Sequence, residues 1–185
     1  MTTIISNSGV TLKSFCVVLI GVSSCGKSSV GEALANRLDA KFIDGDDLHT
    51  RHNLLKMSSG QALNDNDRAP WLERIRDAVF SIFHKHERGV LVCSALKKAY
   101  RDKIRDGNPN VLFIHLQGSI EVIAERMQAR QDHFMPLSLL QSQFDALEVP
   151  DQTEPDVRTV TIDDTFENVV TQCQTTLMAY FNDKP

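Results

Sequence analysis

A chain of 185 residues, 42% apolar and 24% charged, can build one domain with a full core and is short for two. Its formal charge of −4 weighs against a general nucleic-acid binder, yet permits a small anionic ligand in a locally basic pocket. The four cysteines, Cys16, Cys25, Cys93 and Cys173, show no metal-ligand spacing and read as reduced thiols of a cytoplasmic protein.

Residues 1–13 are polar and aperiodic and read as a flexible arm; residues 14–185 read as one domain. The run "FCVVLI" at 15–20 predicts a buried strand, too short to cross a bilayer and followed by no cleavage site, so no membrane partner is expected. A helix follows over 27–38, with Val30, Leu34 and Leu38 on one face. A second strand is predicted at 41–43. A long helix spans 65–87, with Asn64 as its cap, His84 and His86 near its negative pole, and Gly89 as its stop. Strands at 90–93, 111–116 and 158–162 alternate with helices over 97–105, 119–130, "PLSLLQSQFDAL" and 166–181. Such alternation predicts an α/β fold: a parallel five-stranded sheet between two helical layers, with ligands at the carboxyl ends of the strands.

Between the first strand and its helix lies "GVSSCGKSS", which fits G-x-x-x-x-G-K-[ST]. The segment Gly21, Val22, Ser23, Ser24, Cys25, Gly26, Lys27, Ser28 and Ser29 is therefore assigned to the nucleotide. The two glycines let successive N–H groups turn inward on an anion, and the helix adds its positive pole. Lys27 is expected on the β- and γ-phosphates, and Ser28 on Mg²⁺. ATP and Mg²⁺ are thus the expected partners of this loop. Cys25, beside Lys27 and a helix N-terminus, is expected to be a reactive thiol that ATP shields from alkylation.

Guanine-reading motifs of the N-K-x-D and D-x-x-G kind are absent, and the third strand carries no acidic residue at its end. The second strand supplies carboxylates instead, in "KFIDGDDLH". Asp44 is expected to hold Mg²⁺, and Asp46 to accept the proton of an attacking hydroxyl. Lys27, Asp44 and Asp46 form the expected catalytic set.

"DGDDLH", "NLLKM", "DRAPWL", "CSALKKAYRDKIR", "RMQARQDHFMP" and "LLQSQFDALEVP", in this order behind the phosphate loop, resemble the gluconate kinase family. The resemblance covers about residues 15–180. It implies a P-loop, nucleoside-monophosphate-kinase-like fold with a short lid near 131–137, transfer of the γ-phosphate of ATP to the 6-hydroxyl of D-gluconate, and a homodimer. Family members commonly have proline where this chain has Thr50, which alters the helix start but removes no reactive group.

A linear polyol with a carboxylate needs a cation at one end and hydrogen-bonding groups along its length. The candidates are His49, Arg51, Asn53, Ser94, Lys97 and Arg101; the last two stand four apart and share a helix face. Trp71 reads as a core anchor, with a sugar-stacking platform as the alternative. The resemblance places Arg126 and Arg130 at the lid, one near the adenine and one on the phosphates; His133 reads either as a substrate contact or as packing inside the closed lid.

Overall fold

The computed structural model of the protein describes residues 14–128 and 137–182. The expected arm at 1–13 and nearly all of the expected lid lie outside the described residues. Five strands, β1 (Phe15–Ile20), β2 (Lys41–Asp44), β3 (Arg88–Val92), β4 (Val111–Gln117) and β5 (Val157–Thr161), form a wholly parallel sheet in the order β2-β3-β1-β4-β5. The helices among the described residues are α1 (Lys27–Leu38), α2 (Arg51–Ser58), α3 (Asp65–His84), α4 (Lys98–Arg105), α5 (Ile120–Gln128), α6 (Leu137–Ala146) and α7 (Phe166–Asn182).

β1 is buried along its whole length because helices cover both faces of the sheet. Phe15, Val17 and Leu19 enter the core beneath α1 and α7, where Val30, Leu34, Val170 and Leu177 meet them. Cys16, Val18 and Ile20 point the other way, into the core of α3 and α4, among Trp71, Ile75, Val79 and Ile104. This period-two division puts β1 at the centre and opens its carboxyl end, with those of β2 and β3, onto one edge.

Helix starts follow local chemistry. Asn64 and Asp67 form a reciprocal capping box at α3, at 2.9 and 2.8 Å. Thr50 Oγ1 accepts from Asn53 N at 3.1 Å and caps α2, a helix to which the sequence pattern assigned no bounds. The end of α3 corrects an expectation. The helix stops at His84, and His86 (φ 55°) takes the left-handed turn expected of a glycine. Gly89 instead lies inside β3, where a Cβ would come 2.3 Å from Ile82 Cδ1.

Candidate active site

The loop after β1 is bent by residues in left-handed backbone. At Gly21 (φ 142°) a Cβ would fall 2.9 Å from the Leu116 carbonyl oxygen and 3.0 Å from Cys25 Sγ. Ser24 (φ 63°) and Gly26 (φ 100°) follow. Gly26 is the N-cap of α1 and has no side chain to occupy the helix's first N–H groups, which stay available to an anion. Lys27 Nζ donates to the Gly21 and Val22 carbonyls at 3.0 and 2.9 Å, so the ammonium lies folded over the loop.

Asp44, the last residue of β2, joins this loop to the acidic turn behind it. Its Oδ2 accepts from Ser28 Oγ at 3.2 Å, and its Oδ1 accepts from Asp46 N at 3.0 Å. Asp46 sits in a 3₁₀ turn over Gly45–Leu48 and is exposed. Partial desolvation by the atoms packed around it, and then the charge of Asp44, push the Asp46 carboxyl above the ordinary aspartate value, against the pull of His49 and Lys27. His49 stands behind it, Nε2 3.8 Å from Asp46 Oδ1, its ring stacked on Trp71 at 4.3 Å. Burial lowers the pKa of His49, and Asp46 opposes that. Asn53 Nδ2 lies 3.3 Å from His49 Nδ1; when it donates there, the ring hydrogen sits on Nε2 and faces Asp46.

Two cavities meet at the loop, and Ser24 lines both. The larger, of about 450 Å³, is lined by Ser23, Lys27, Ser28, Asp44 and Asp46 on one side and by Arg68, Ser94, Lys97, Tyr100 and Gln143 on the other. The smaller, of about 290 Å³, lies among Gly26, Ser29, Val30, Arg126, Phe166 and Val169. Arg126 is held there by a bond from Nη2 to the Ile162 carbonyl.

The structure thus brings Lys27, Ser28, Asp44, Asp46, Ser94 and Lys97 to one cavity and Arg126 to its neighbour. Other expected residues stand elsewhere. Arg101 is fully buried, and all five of its N–H groups are engaged by Glu154, by the Ala95, Leu96 and Glu148 carbonyls. It therefore holds the cavity wall from beneath and offers nothing to a substrate. The equal spacing of Lys97 and Arg101 misled because Lys97 is the cap of α4 and lies off its helical face. Asn53 is likewise fully buried, with Nδ2 donating to the Asp67 carbonyl at 2.8 Å, and Arg51 is exposed on α2 away from the cavity lining. Cys25 does not present a reactive thiol: it is fully buried in the core beneath the loop, so only its main chain can serve a nucleotide. Trp71 is the expected core anchor, with Nε1 donating to the Gly45 carbonyl at 2.7 Å. Arg130 and His133 lie outside the described residues.

Sequence reasoning missed Arg68, Asp65, Tyr100 and Gln143. Asp65 Oδ1 and Oδ2 accept from Lys97 Nζ, both at 2.9 Å, and Oδ1 also accepts from the Tyr100 hydroxyl. Arg68 lies one turn along α3, 3.9 Å from Asp65 and over the Tyr100 ring. The i, i+3 spacing of Asp65 and Arg68 was a readable signal. That of Gln143 with Ser23, 120 residues apart, was not.

A family model described as shikimate kinase matches residues 23–176. The thermosensitive gluconokinase of Escherichia coli (strain K12) is 51% identical over 162 residues, 88% of this chain and 87% of that protein. A crystal structure of a gluconokinase from Sinorhizobium meliloti 1021 superposes with a TM-score of 0.81 at 42% identity, covering 91% of this chain and 97% of that one. Thymidylate kinase from Candida albicans, at 15% identity and a TM-score of 0.67, shares the fold over 92% of this chain and 93% of its own. With a phosphate loop, an acidic turn and a cationic wall around one cavity, and with relatives this near over most of their length, the chain belongs to the gluconokinase family of P-loop kinases.

Proposed function

We infer that the protein transfers the γ-phosphoryl group of ATP to the 6-hydroxyl of D-gluconate, giving 6-phospho-D-gluconate. The observation that supports this most is the pair of cavities joined at the phosphate loop, one with a base and cations around it and one beside the helix N-terminus. The smaller takes the adenine, with Arg126 and Phe166 at its wall. The larger takes the sugar acid: Arg68 and Lys97 receive the carboxylate, Ser94 and Tyr100 the hydroxyls, and Asp46 orients and deprotonates the hydroxyl that attacks. Lys27 leaves the Gly21 and Val22 carbonyls for the phosphates, and the loop amides hold the charge of the moving group. Ser28 and Asp44 offer a hydroxyl and a carboxylate oxygen 3.2 Å apart, hard donors of the kind Mg²⁺ takes while keeping several waters. When bound there, Mg²⁺ supplies charge neutralisation between the phosphates.

Residues 14–185 are read as one kinase unit, working as a homodimer in the cytoplasm with no nucleic-acid partner. The family resemblance, the four free buried cysteines and the acidic net charge support this. No helix among the described residues is long and apolar enough to cross a membrane.

The test is ADP release from ATP and Mg²⁺ without an acceptor, then with gluconate, shikimate and nucleoside monophosphates in turn. Stimulation by gluconate is expected. Stimulation by another acceptor, or by none, overturns the assignment.

A further inference from the structure

Among the described residues, Gln143 is the one side chain that reaches the phosphate loop from the opposite wall of the larger cavity by paired hydrogen bonds. Its Oε1 accepts from Ser23 N at 2.6 Å, and its Nε2 donates to Ser23 Oγ at 2.9 Å. The second hydrogen of Nε2 has no acceptor among the described residues. Gln143 lines the same cavity as Lys27, Asp46 and Lys97, so this unused donor belongs to the space where the acceptor and the loop meet.

The helix carrying it is firmly seated. Leu140 on α6 is fully buried, and Phe144 and Leu147 pack on the same core. Just past the helix, Glu148 N donates to the Leu96 carbonyl at 3.0 Å, and Glu148 Oε2 accepts from Lys98 N at 2.6 Å. Arg101 Nη2 donates to the Glu148 carbonyl at 3.0 Å. One end of Gln143 is thus fixed to the wall that bears Lys97, and the other to the loop. Such restraint from both sides is what a group needs to act on a short-lived charge distribution.

We propose that Gln143 is a further catalytic residue, whose carboxamide, latched to Ser23, donates a hydrogen bond to the phosphoryl group in transit. The inference rests on the reading that the loop holds ATP. In the transfer, the bond from phosphorus to the acceptor oxygen forms as the bond to the ADP oxygen breaks. The acceptor proton passes to Asp46, and Gln143 keeps its own. A carboxamide suits this place because it donates without carrying a charge that could attract or repel the nucleotide before it binds. Negative charge spread over the equatorial oxygens of the moving group then strengthens the bond as the reaction advances.

The experiment measures turnover, and the binding of ADP and of a non-hydrolysable ATP analogue, in Gln143→Ala and Gln143→Glu. Loss of one such donor predicts a fall in kcat of about 10²-fold in Gln143→Ala, several-fold weaker binding of the ATP analogue, and ADP binding within about twofold of wild type. Gln143→Glu is the second arm. A glutamate keeps the length and still accepts from Ser23 N but puts a repelling charge where the donor stood, so kcat falls at least as far. Near-normal turnover in either variant, or equal loss of ADP and ATP-analogue binding, overturns the proposal. If Gln143→Ala fails to fold, judged by its thermal midpoint, Gln143→Met, which is neutral and of similar length but has no donor, takes its place. Wild-type acceptor choice is measured beside them. An acceptor other than gluconate would sink the substrate assignment and leave the contrast between ADP and ATP analogue intact.

Discussion

Arg101 Nε and Nη2 meet the two carboxylate oxygens of Glu154 at 2.9 and 2.6 Å, in a pair that is almost wholly shut off from solvent. The same guanidinium donates to the carbonyl of Ala95, a non-glycine residue in left-handed backbone (φ 37°). That strained turn delivers Ser94 and Lys97 to the cavity, so the ion pair holds a wall of the active site. Arg101→Ala is expected to destabilise the protein by about 3–5 kcal/mol, because it strands a buried carboxylate. Urea unfolding checks this. A stable Arg101→Ala protein with a raised KM for gluconate alone would restore Arg101 as a substrate contact.

His115, near the end of β4, is buried, and its Nδ1 has no partner among the described residues. Burial, reinforced by Arg101, pushes its pKa down to about 4. A lowered pKa in the folded state means that the unfolded chain binds more protons between that value and the ordinary 6.5. The stability from a neutral His115 is therefore complete above pH 6.5 and is lost as the pH falls through about 4. Glu154 acts in the same sense at lower pH. Burial raises its pKa, but hydrogen bonds from Arg101 and Arg105 outweigh that and hold it below the usual range. Urea midpoints measured from pH 7 to 4 are expected to fall in the wild type, and to fall less in a folded His115→Leu variant. Parallel slopes would show that His115 takes its proton at an ordinary pKa.

The strands and helices that bury a periodic apolar face were legible from the chain alone, and α1 was bounded to the residue. The phosphate loop was legible too, because its function depends on consecutive residues. Harder to read was everything that depends on what packs against what. Lys97 and Arg101 are chemically alike and four apart, yet one opens on the cavity and the other lies under it. Glu154, fifty-three residues on, decides which. Arg68 was hidden because a cation in the first turns of a helix is usually a solvated surface charge. Cys25 looked reactive from its sequence neighbours, and only the tertiary packing shows its thiol turned into the core.

That packing reverses the expected chemistry of Cys25. A thiol with no solvent exposure is out of reach of alkylating agents, whatever lies beside it in sequence. Iodoacetamide is expected to leave the native enzyme active and unmodified with or without ATP. Unfolding in urea should expose all four cysteines, which the intact mass would report as four additions. Rapid labelling of Cys25 in the native protein, with protection by ATP, would mean that the loop opens far beyond the conformation described above.

Asp44 and Asp46 are two residues apart but are held differently. Asp44 is bonded to Ser28, the hydroxyl at the start of α1, and its other oxygen holds the main chain of Asp46. Asp46 makes no ion pair with a lysine or arginine among the described residues and lines the larger cavity, with His49 behind it. Asp46→Asn is therefore expected to lower kcat by about 10²–10⁴-fold while the affinity for ATP barely changes, as the loss of a general base should. Asp44→Asn is expected to raise the Mg²⁺ concentration needed for half-maximal rate, with a smaller loss at saturating metal. Full turnover in Asp46→Asn together with a dead Asp44→Asn would exchange the two roles.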